Sequence, residues 1–107
     1  MPAKQENPGE HHVVYRDDDF YSAHPHVVPL TADHWLMVFT RAPRRPIILH
    51  PPLDPAFQNM LIRSMDGGQS WSEPVAVPTR DWLGMECAGL TVLGSGRVLL
   101  NQWRFRW

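Results

Sequence analysis

The sequence has little cysteine, little net charge and no long apolar run, and each shortage excludes a class of protein. Cys87 is the one cysteine in 107 residues, so neither an intramolecular disulfide nor a cysteine-rich zinc cage is available. Ten Lys and Arg against eleven Asp and Glu leave a formal charge of -1, which gives no bulk field for holding nucleic acid or an anionic membrane. No run approaches the roughly 18 apolar residues of a membrane span. We therefore expect neither a nucleic-acid nor a membrane partner.

The amino-terminal segment also lacks the apolar stretch of a secretory signal. Its first residues, MPAKQENPGEHH, are polar, and residues 1–10 contain two prolines and a glycine without periodicity. We expect residues 1–10 to be a disordered lead-in, residues 11–107 to fold as one unit, and the cytoplasm to be the default compartment.

Helical patterns are scarce, whereas short apolar runs separated by turn residues are frequent. Eleven prolines are spread along the chain, and no window of a dozen residues has apolar side chains at the 3.6-residue period of a helix. Short turns at 31–33, 66–70 and 94–96 favour antiparallel hairpins. The strands predicted are 11–16, 25–30, 35–41, 59–64, 74–78, 88–93 and 97–103. The sequence therefore predicts an all-β fold, with a four-stranded antiparallel sheet followed by a hairpin.

An internal repeat relates two parts of the chain. Residues 25–41 and 88–104, 63 positions apart, each read as an apolar strand, a three-residue turn and a second apolar strand ending near an arginine. Between them lies a long segment, 42–57, whose five prolines exclude a regular ladder. Repeated units of this kind favour blades of a propeller, and the long loop is a candidate functional segment.

One motif carries a family resemblance. Ser64-Met65-Asp66-Gly67-Gly68-Gln69-Ser70-Trp71 fits the pattern Ser-x-Asp-x-Gly-x-Ser/Thr-Trp at every defined position and resembles an Asp box, the bacterial neuraminidase repeat of sialidase-like propellers. In that family the box is a structural turn between the third and fourth strands of a blade, opposite the active site. The motif residues Ser64, Asp66, Gly68, Ser70 and Trp71 are therefore expected to be structural, with Asp66 fixing the hairpin rather than acting as a catalytic acid.

The resemblance extends to the order of strands. It implies a first blade at 24–78, the first half of a second blade at 86–107, and a possible ring-closing strand at 11–16. A sialidase-like propeller has six blades, so the chain is expected to be an amino-terminal fragment whose remaining blades lie elsewhere. The function implied is that of a fragment of a glycoside hydrolase acting on an acidic sugar, inactive alone. The alternative is a non-catalytic carbohydrate-binding or scaffolding propeller.

Family topology places a pocket where the loops 16–24, 42–57 and 79–87 meet the chain after Trp103. A sialidase pocket has an arginine triad for the substrate carboxylate, an Asp acid/base, and a Tyr nucleophile assisted by a Glu. Here Ala23 occupies the position of the first triad arginine, and neither Tyr15 nor Tyr21 has the late position of the nucleophile. The candidates are Asp54 and Glu86 for catalysis, and His24, Arg44, Arg45, His50, Trp82 and Arg104 for substrate binding.

Each candidate also has a purely structural interpretation. Asp54 could begin an Asp-Pro turn, Glu86 could be a solvated carboxylate at a strand edge, and Trp82 could be buried instead of stacking on a sugar. Cys87 is expected to be an inert buried thiol. His24 and His26 would share one face of a regular strand, but no third ligand follows at a characteristic spacing, so no metal and no other cofactor is predicted.

Overall fold

The structure, a computed structural model, describes Gly9, residues 11–78 and residues 83–106, and in these ranges it is all-β without a helix. The six strands are β1 (Phe20–Pro29), β2 (Trp35–Pro43), β3 (Gln58–Ser64), β4 (Val75–Ala76), β5 (Met85–Val92) and β6 (Val98–Arg104). Strands β1 to β4 form an antiparallel sheet in chain order, and β5 and β6 form a separate antiparallel hairpin. The prediction of an all-β fold with a four-stranded sheet and a following hairpin is confirmed.

Several strand boundaries differ from the sequence prediction, most of all those of β1, β4, β5 and the 11–16 segment. Strand β1 begins at Phe20 instead of residue 25, and β4 has two residues instead of five. Residues 11–16 pair with no strand in the described part of the chain; Val14 and Tyr15 instead pack on the sheet, with the Tyr15 ring 4.8 Å from that of Phe39. The lead-in at 1–10 lies, apart from Gly9, beyond what the structure describes.

The two faces of the sheet are covered by different parts of the chain. Side chains alternate along β2, so Leu36 and Val38 meet Ala88 and Leu90 of the hairpin, whereas Phe39 packs with β3 residues on the other face. That second face is covered by the 11–16 segment and by Trp71. Because both faces are covered, β2 is the most completely buried strand and forms the centre of the core.

The 63-residue repeat is present in the strand registers. Ser22 pairs with Arg41 in the β1–β2 hairpin, and Met85 pairs with Arg104 in the β5–β6 hairpin, each partner displaced by 63 positions. The register shift recurs as well: it falls between Ala23 and His26 in β1 and between Glu86 and Gly89 in β5. The two hairpins therefore share one design, including a β-bulge at the same place.

Residues 64–71, the segment that resembles an Asp box, form a tightly bonded turn between β3 and β4. Asp66 accepts bonds from the backbone N–H of Gln69 and Ser70 and from the hydroxyls of Ser64 and Ser70, and Trp71 Nε1 donates to Gly68 O at 3.0 Å. The bonds from Ser70 are the main reason that the pKa of Asp66 falls to about 2. This turn lies at the end of β3 opposite to the 44–57 loop.

Candidate functional site

The bulges in β1 and β5 place the side chains of His24 and Cys87 close together. His24 and Cys87 have positive φ angles of 54° and 55°, in the left-handed region that non-glycine residues seldom occupy. Strand β5 packs against β1, which brings the two bulges together. A bulge changes the direction of the side chains around it, so these side chains do not follow the alternation of a regular strand.

Glu86 is the centre of the polar cluster formed there. Its Oε2 accepts a hydrogen bond of 2.9 Å from His50 Nδ1 and lies 3.8 Å from His24 Nε2. The Glu86 side chain is only 9% exposed, whereas those of His24 and His50 are 39% and 52% exposed. A nearly buried carboxylate is therefore flanked by two imidazoles that reach solvent.

The proline-rich loop holds His50 in position through its backbone and its ring. His50 O accepts bonds from the N–H of Leu53 and Asp54, and the imidazole lies 5.4 Å from the ring of buried Phe57. Phe57 O in turn accepts a 3.0 Å bond from Met85 N, which ties the end of the loop to β5. The sequence predicted that His24, His50 and Glu86 line one pocket, and the structure brings these three together.

Asp54 has a different environment from Glu86. Arg45 grips its carboxylate, with Nε 2.5 Å from Oδ2 and Nη2 3.2 Å from Oδ1, and Ala56 N donates to Oδ1 at 3.0 Å. The hydrogen bond from Arg45 lowers the pKa of Asp54, aided by the Ala56 N–H and opposed by burial. Asp54 is thus an ionised carboxylate that organises the loop, the arrangement that its structural interpretation implied.

The remaining predicted binding residues are Arg44, Arg104 and Trp82. Arg44 donates to the backbone carbonyls of Asp18 and Phe20 and so fastens the start of the loop to the segment before β1. Arg104 is exposed at the end of β6, where it pairs with Met85 in the ladder. Trp82 falls in a stretch that the structure does not describe.

A buried polar network supports the floor of this region, and sequence patterns gave no signal for it. Thr40 Oγ1 donates to Asn59 Oδ1 at 2.9 Å, and Asn59 Nδ2 donates to Gln102 Oε1 at 2.9 Å. Thr40 Oγ1 also accepts a 3.2 Å bond from Cys87 N. Thr40 and Asn59 are fully buried, so the network fixes the β5 bulge against β2 and β3.

Cys87 and His26 are two further residues at the bulges, and their environments differ. Burial, with the neighbouring Glu86 carboxylate as the smaller cause, raises the pKa of the Cys87 thiol. His26 does not join His24: its Nδ1 accepts a 2.9 Å bond from Leu90 N across the packed strands. The expectation that the two histidines share a strand face fails because the bulge between Ala23 and His26 breaks the alternation.

Comparisons with known proteins give no relative from which a function could be transferred. No protein-family model, no curated protein and no solved structure matches this chain. Among the described residues there is also no helix of the length and apolar character that a membrane crossing requires.

Proposed function

We propose that this chain forms one wall of a carbohydrate-binding pocket in a sialidase-like propeller, and that the whole protein is a glycoside hydrolase acting on an acidic sugar. The observation that carries this proposal is the convergence of His24 from the β1 bulge, Glu86 from the β5 bulge and His50 from the 44–57 loop. A carboxylate accepts hydrogen bonds from sugar hydroxyls, and half-exposed imidazoles donate to an anionic group when protonated.

Two features support the propeller part of the proposal. The Asp-box turn joins β3 to β4, and the bulged hairpin recurs with one register after 63 residues. In addition, Leu99 and Trp103 are more than half exposed on β6, the last strand of the chain. Large apolar side chains on an unpaired strand edge favour a further strand or blade that covers them.

We propose that the chain alone is inactive. A retaining glycosidase needs a nucleophile and an acid/base on opposite sides of one sugar. The Tyr15 hydroxyl oxygen accepts a 3.0 Å bond from Arg41 Nη1, and the Tyr15 ring packs on Phe39, whereas the Tyr21 ring packs against Phe57. Neither tyrosine is hydrogen-bonded to Glu86 in the described residues. The described residues therefore supply one side of such a site, and the other side belongs to the further blades proposed here.

The alternative of a non-catalytic carbohydrate-binding or scaffolding propeller has one observation in its favour. Arg45 keeps Asp54 ionised, so this candidate acid does not hold a proton for a leaving group near neutral pH. Both hypotheses use the same pocket wall and predict the same ligand contacts. They differ in whether the whole protein turns the ligand over.

An NMR titration tests the pocket wall. The purified chain is titrated with N-acetylneuraminic acid and glucuronic acid, with galactose and glucose as matched neutral sugars, while the imidazole C–H signals are followed. We expect the acidic sugars to shift the His24 and His50 signals, and His50→Ala or Glu86→Gln to abolish the shift, whereas exposed His11→Ala leaves it unchanged. Absence of a shift with every sugar contradicts a carbohydrate pocket, and equal shifts with neutral sugars contradict selectivity for acidic ones.

A further inference from the structure

Three side chains with different metal-ligating atoms meet where the two bulges touch. One donor atom from each of His24, Glu86 and Cys87 lies within 4.8 Å of the other two. A tetrahedral zinc ion with bonds of about 2.0 to 2.3 Å separates its donors by roughly 3.3 to 3.8 Å. The 3.8 Å between His24 Nε2 and Glu86 Oε2 already lies in that range. Bringing all three donors onto one ion therefore requires a movement of about 1 Å, which side-chain rotation supplies.

The backbone holds two of these donors in an uncommon conformation. His tolerates a positive φ better than most residues, but Cys is not among the residue types enriched there, and Cys87 adopts 55°. Its N–H is bonded to Thr40 Oγ1, part of the fully buried network, so the bulge is fixed from below. Strained positions that are held this firmly cluster at functional sites, because the strain is retained where it positions a side chain.

The charges at this position favour a cation. The nearly buried Glu86 carboxylate lies within 4.8 Å of the Cys87 sulfur, so a cation placed between them would be attracted to both donors. A thiolate and an imidazole together select zinc and similar transition metals over magnesium or calcium. His50 Nδ1, 2.9 Å from Glu86 Oε2, donates to the carboxylate and orients it, as outer partners do around metal ligands.

We propose that His24, Glu86 and Cys87 bind one divalent transition-metal ion of the zinc class, and that His50 positions Glu86 for it. Three protein donors leave a fourth position for water or a bound ligand. The site joins the two hairpins, because His24 comes from β1 and the other two donors come from β5. This proposal stands whether or not the pocket binds sugars, because metal binding is measured without any carbohydrate.

Cobalt substitution tests the site directly. The reduced, purified chain is titrated with Co²⁺, and zinc is then added to displace it. Because Cys87 is the one cysteine, any thiolate-to-cobalt charge-transfer band in the near ultraviolet reports that residue. We expect this band, with intense visible absorption typical of a four-coordinate ion, to saturate at one metal per chain. Cobalt binding without the thiolate band, or one ion shared by two chains, overturns the proposal.

Variants then identify the other donors. Glu86→Gln, Cys87→Ser and His24→Asn should each weaken zinc binding at least about tenfold, since loss of outer partners alone costs about 10- to 100-fold. Asn is chosen at position 24 because it tolerates a positive φ. The control His11→Ala removes an exposed imidazole elsewhere and should leave the affinity unchanged. Unaltered affinity in all three donor variants contradicts the assignment.

A measurement on the unmodified chain covers the case in which a variant does not fold. Alkylation of Cys87 by iodoacetamide is followed with and without excess Zn²⁺. We expect zinc to slow the reaction at least about tenfold, because a coordinated sulfur is withheld from the reagent. An alkylation rate that zinc does not change shows that Cys87 is not a ligand.

Discussion

His24 and Cys87 lie 63 residues apart in the chain and share one backbone conformation, with φ angles of 54° and 55° at equivalent bulges. The residues that precede them, Ala23 and Glu86, also occupy equivalent positions, since Ala23 pairs with Thr40 and Glu86 pairs with Trp103. Their side chains, however, differ in chemistry. The same backbone bulge therefore occurs twice, and the two copies place chemically different side chains next to one another. The first copy contributes an imidazole, and the second contributes a carboxylate and a thiol.

The Asp-box turn depends on the absence of a side chain at Gly68. A Cβ there would lie 2.5 Å from Trp35 Cζ3, and the residue has a φ of 89°. We expect Gly68→Ala to lower the free energy of unfolding by about 2 to 4 kcal/mol, which combines left-handed strain with overpacking.

Two other glycines separate these causes. Gly96 also has a positive φ, of 80°, but a Cβ there meets no atom within 4 Å, so Gly96→Ala should lower the free energy of unfolding by about 1 to 2 kcal/mol. Gly94 has neither constraint, and Gly94→Ala should change it by only a few tenths, about 0.5 kcal/mol at most. Urea unfolding of the three variants makes the comparison, and equal effects at Gly68 and Gly96 would show that the Trp35 contact is unimportant.

Short apolar runs and turn chemistry predicted the six strands approximately, because these signals act over a few residues, but they also predicted a strand at 11–16 that is not in the structure. The order of strands and the turn at Asp66 followed from the same local signals. The bulges could not be predicted in this way: the predicted strands begin at 25 and 88, within the two bulges, and only pairing with β2 and β6 reveals the extra residue. Consequently the sequence placed His26 beside His24, whereas the fold places Glu86 and Cys87 there.

The buried network was missed for a related reason. Thr40 and Asn59 read as polar interruptions near the ends of apolar runs, and their pairing depends on strands far apart in the chain. The 42–57 segment was predicted to be functional because it is a long irregular loop, but sequence alone did not decide whether Asp54 or Glu86 would be nearer the histidines. In the structure Asp54 is hydrogen-bonded to Arg45, and Glu86 is hydrogen-bonded to His50.

The network predicts a large effect from a small substitution at Thr40. Thr40→Val preserves the shape of the side chain but leaves Cys87 N without its acceptor and Asn59 Oδ1 without its donor. Because unpaired buried polar groups are costly, we expect the free energy of unfolding to fall by about 1 to 3 kcal/mol. Thr91→Val, at an exposed position on β5, is the matched control and should be nearly neutral. Equal stability of the Thr40 and Thr91 variants in urea unfolding would contradict a stabilising network.

Asp66 predicts how stability changes at acid pH. Its pKa is lowered from 3.8 to about 2 by the hairpin bonds, chiefly those of Ser70. The unfolded chain therefore takes up the proton first, so the stabilisation is complete above about pH 4 and is lost as the pH falls through about 2. Urea unfolding between pH 5 and pH 2 should show this loss in the parent chain, and a smaller slope in Asp66→Asn, which removes the titrating group. If Asp66→Asn keeps the full slope, Asp66 is not its source.

The last prediction concerns catalysis by the chain itself. Because the Arg45 guanidinium lowers the pKa of Asp54, this carboxylate holds no proton near neutral pH and does not serve as a general acid there. In the described part of the chain neither Tyr15 nor Tyr21 is hydrogen-bonded to Glu86, and their rings pack against Phe39 and Phe57. A fluorogenic sialoside and a fluorogenic glucuronide should therefore release no fluorophore above the rate given by Asp54→Asn and Glu86→Gln between pH 4 and pH 8. Turnover that either substitution abolishes would establish that the described wall is already a complete active site and that further blades are not required.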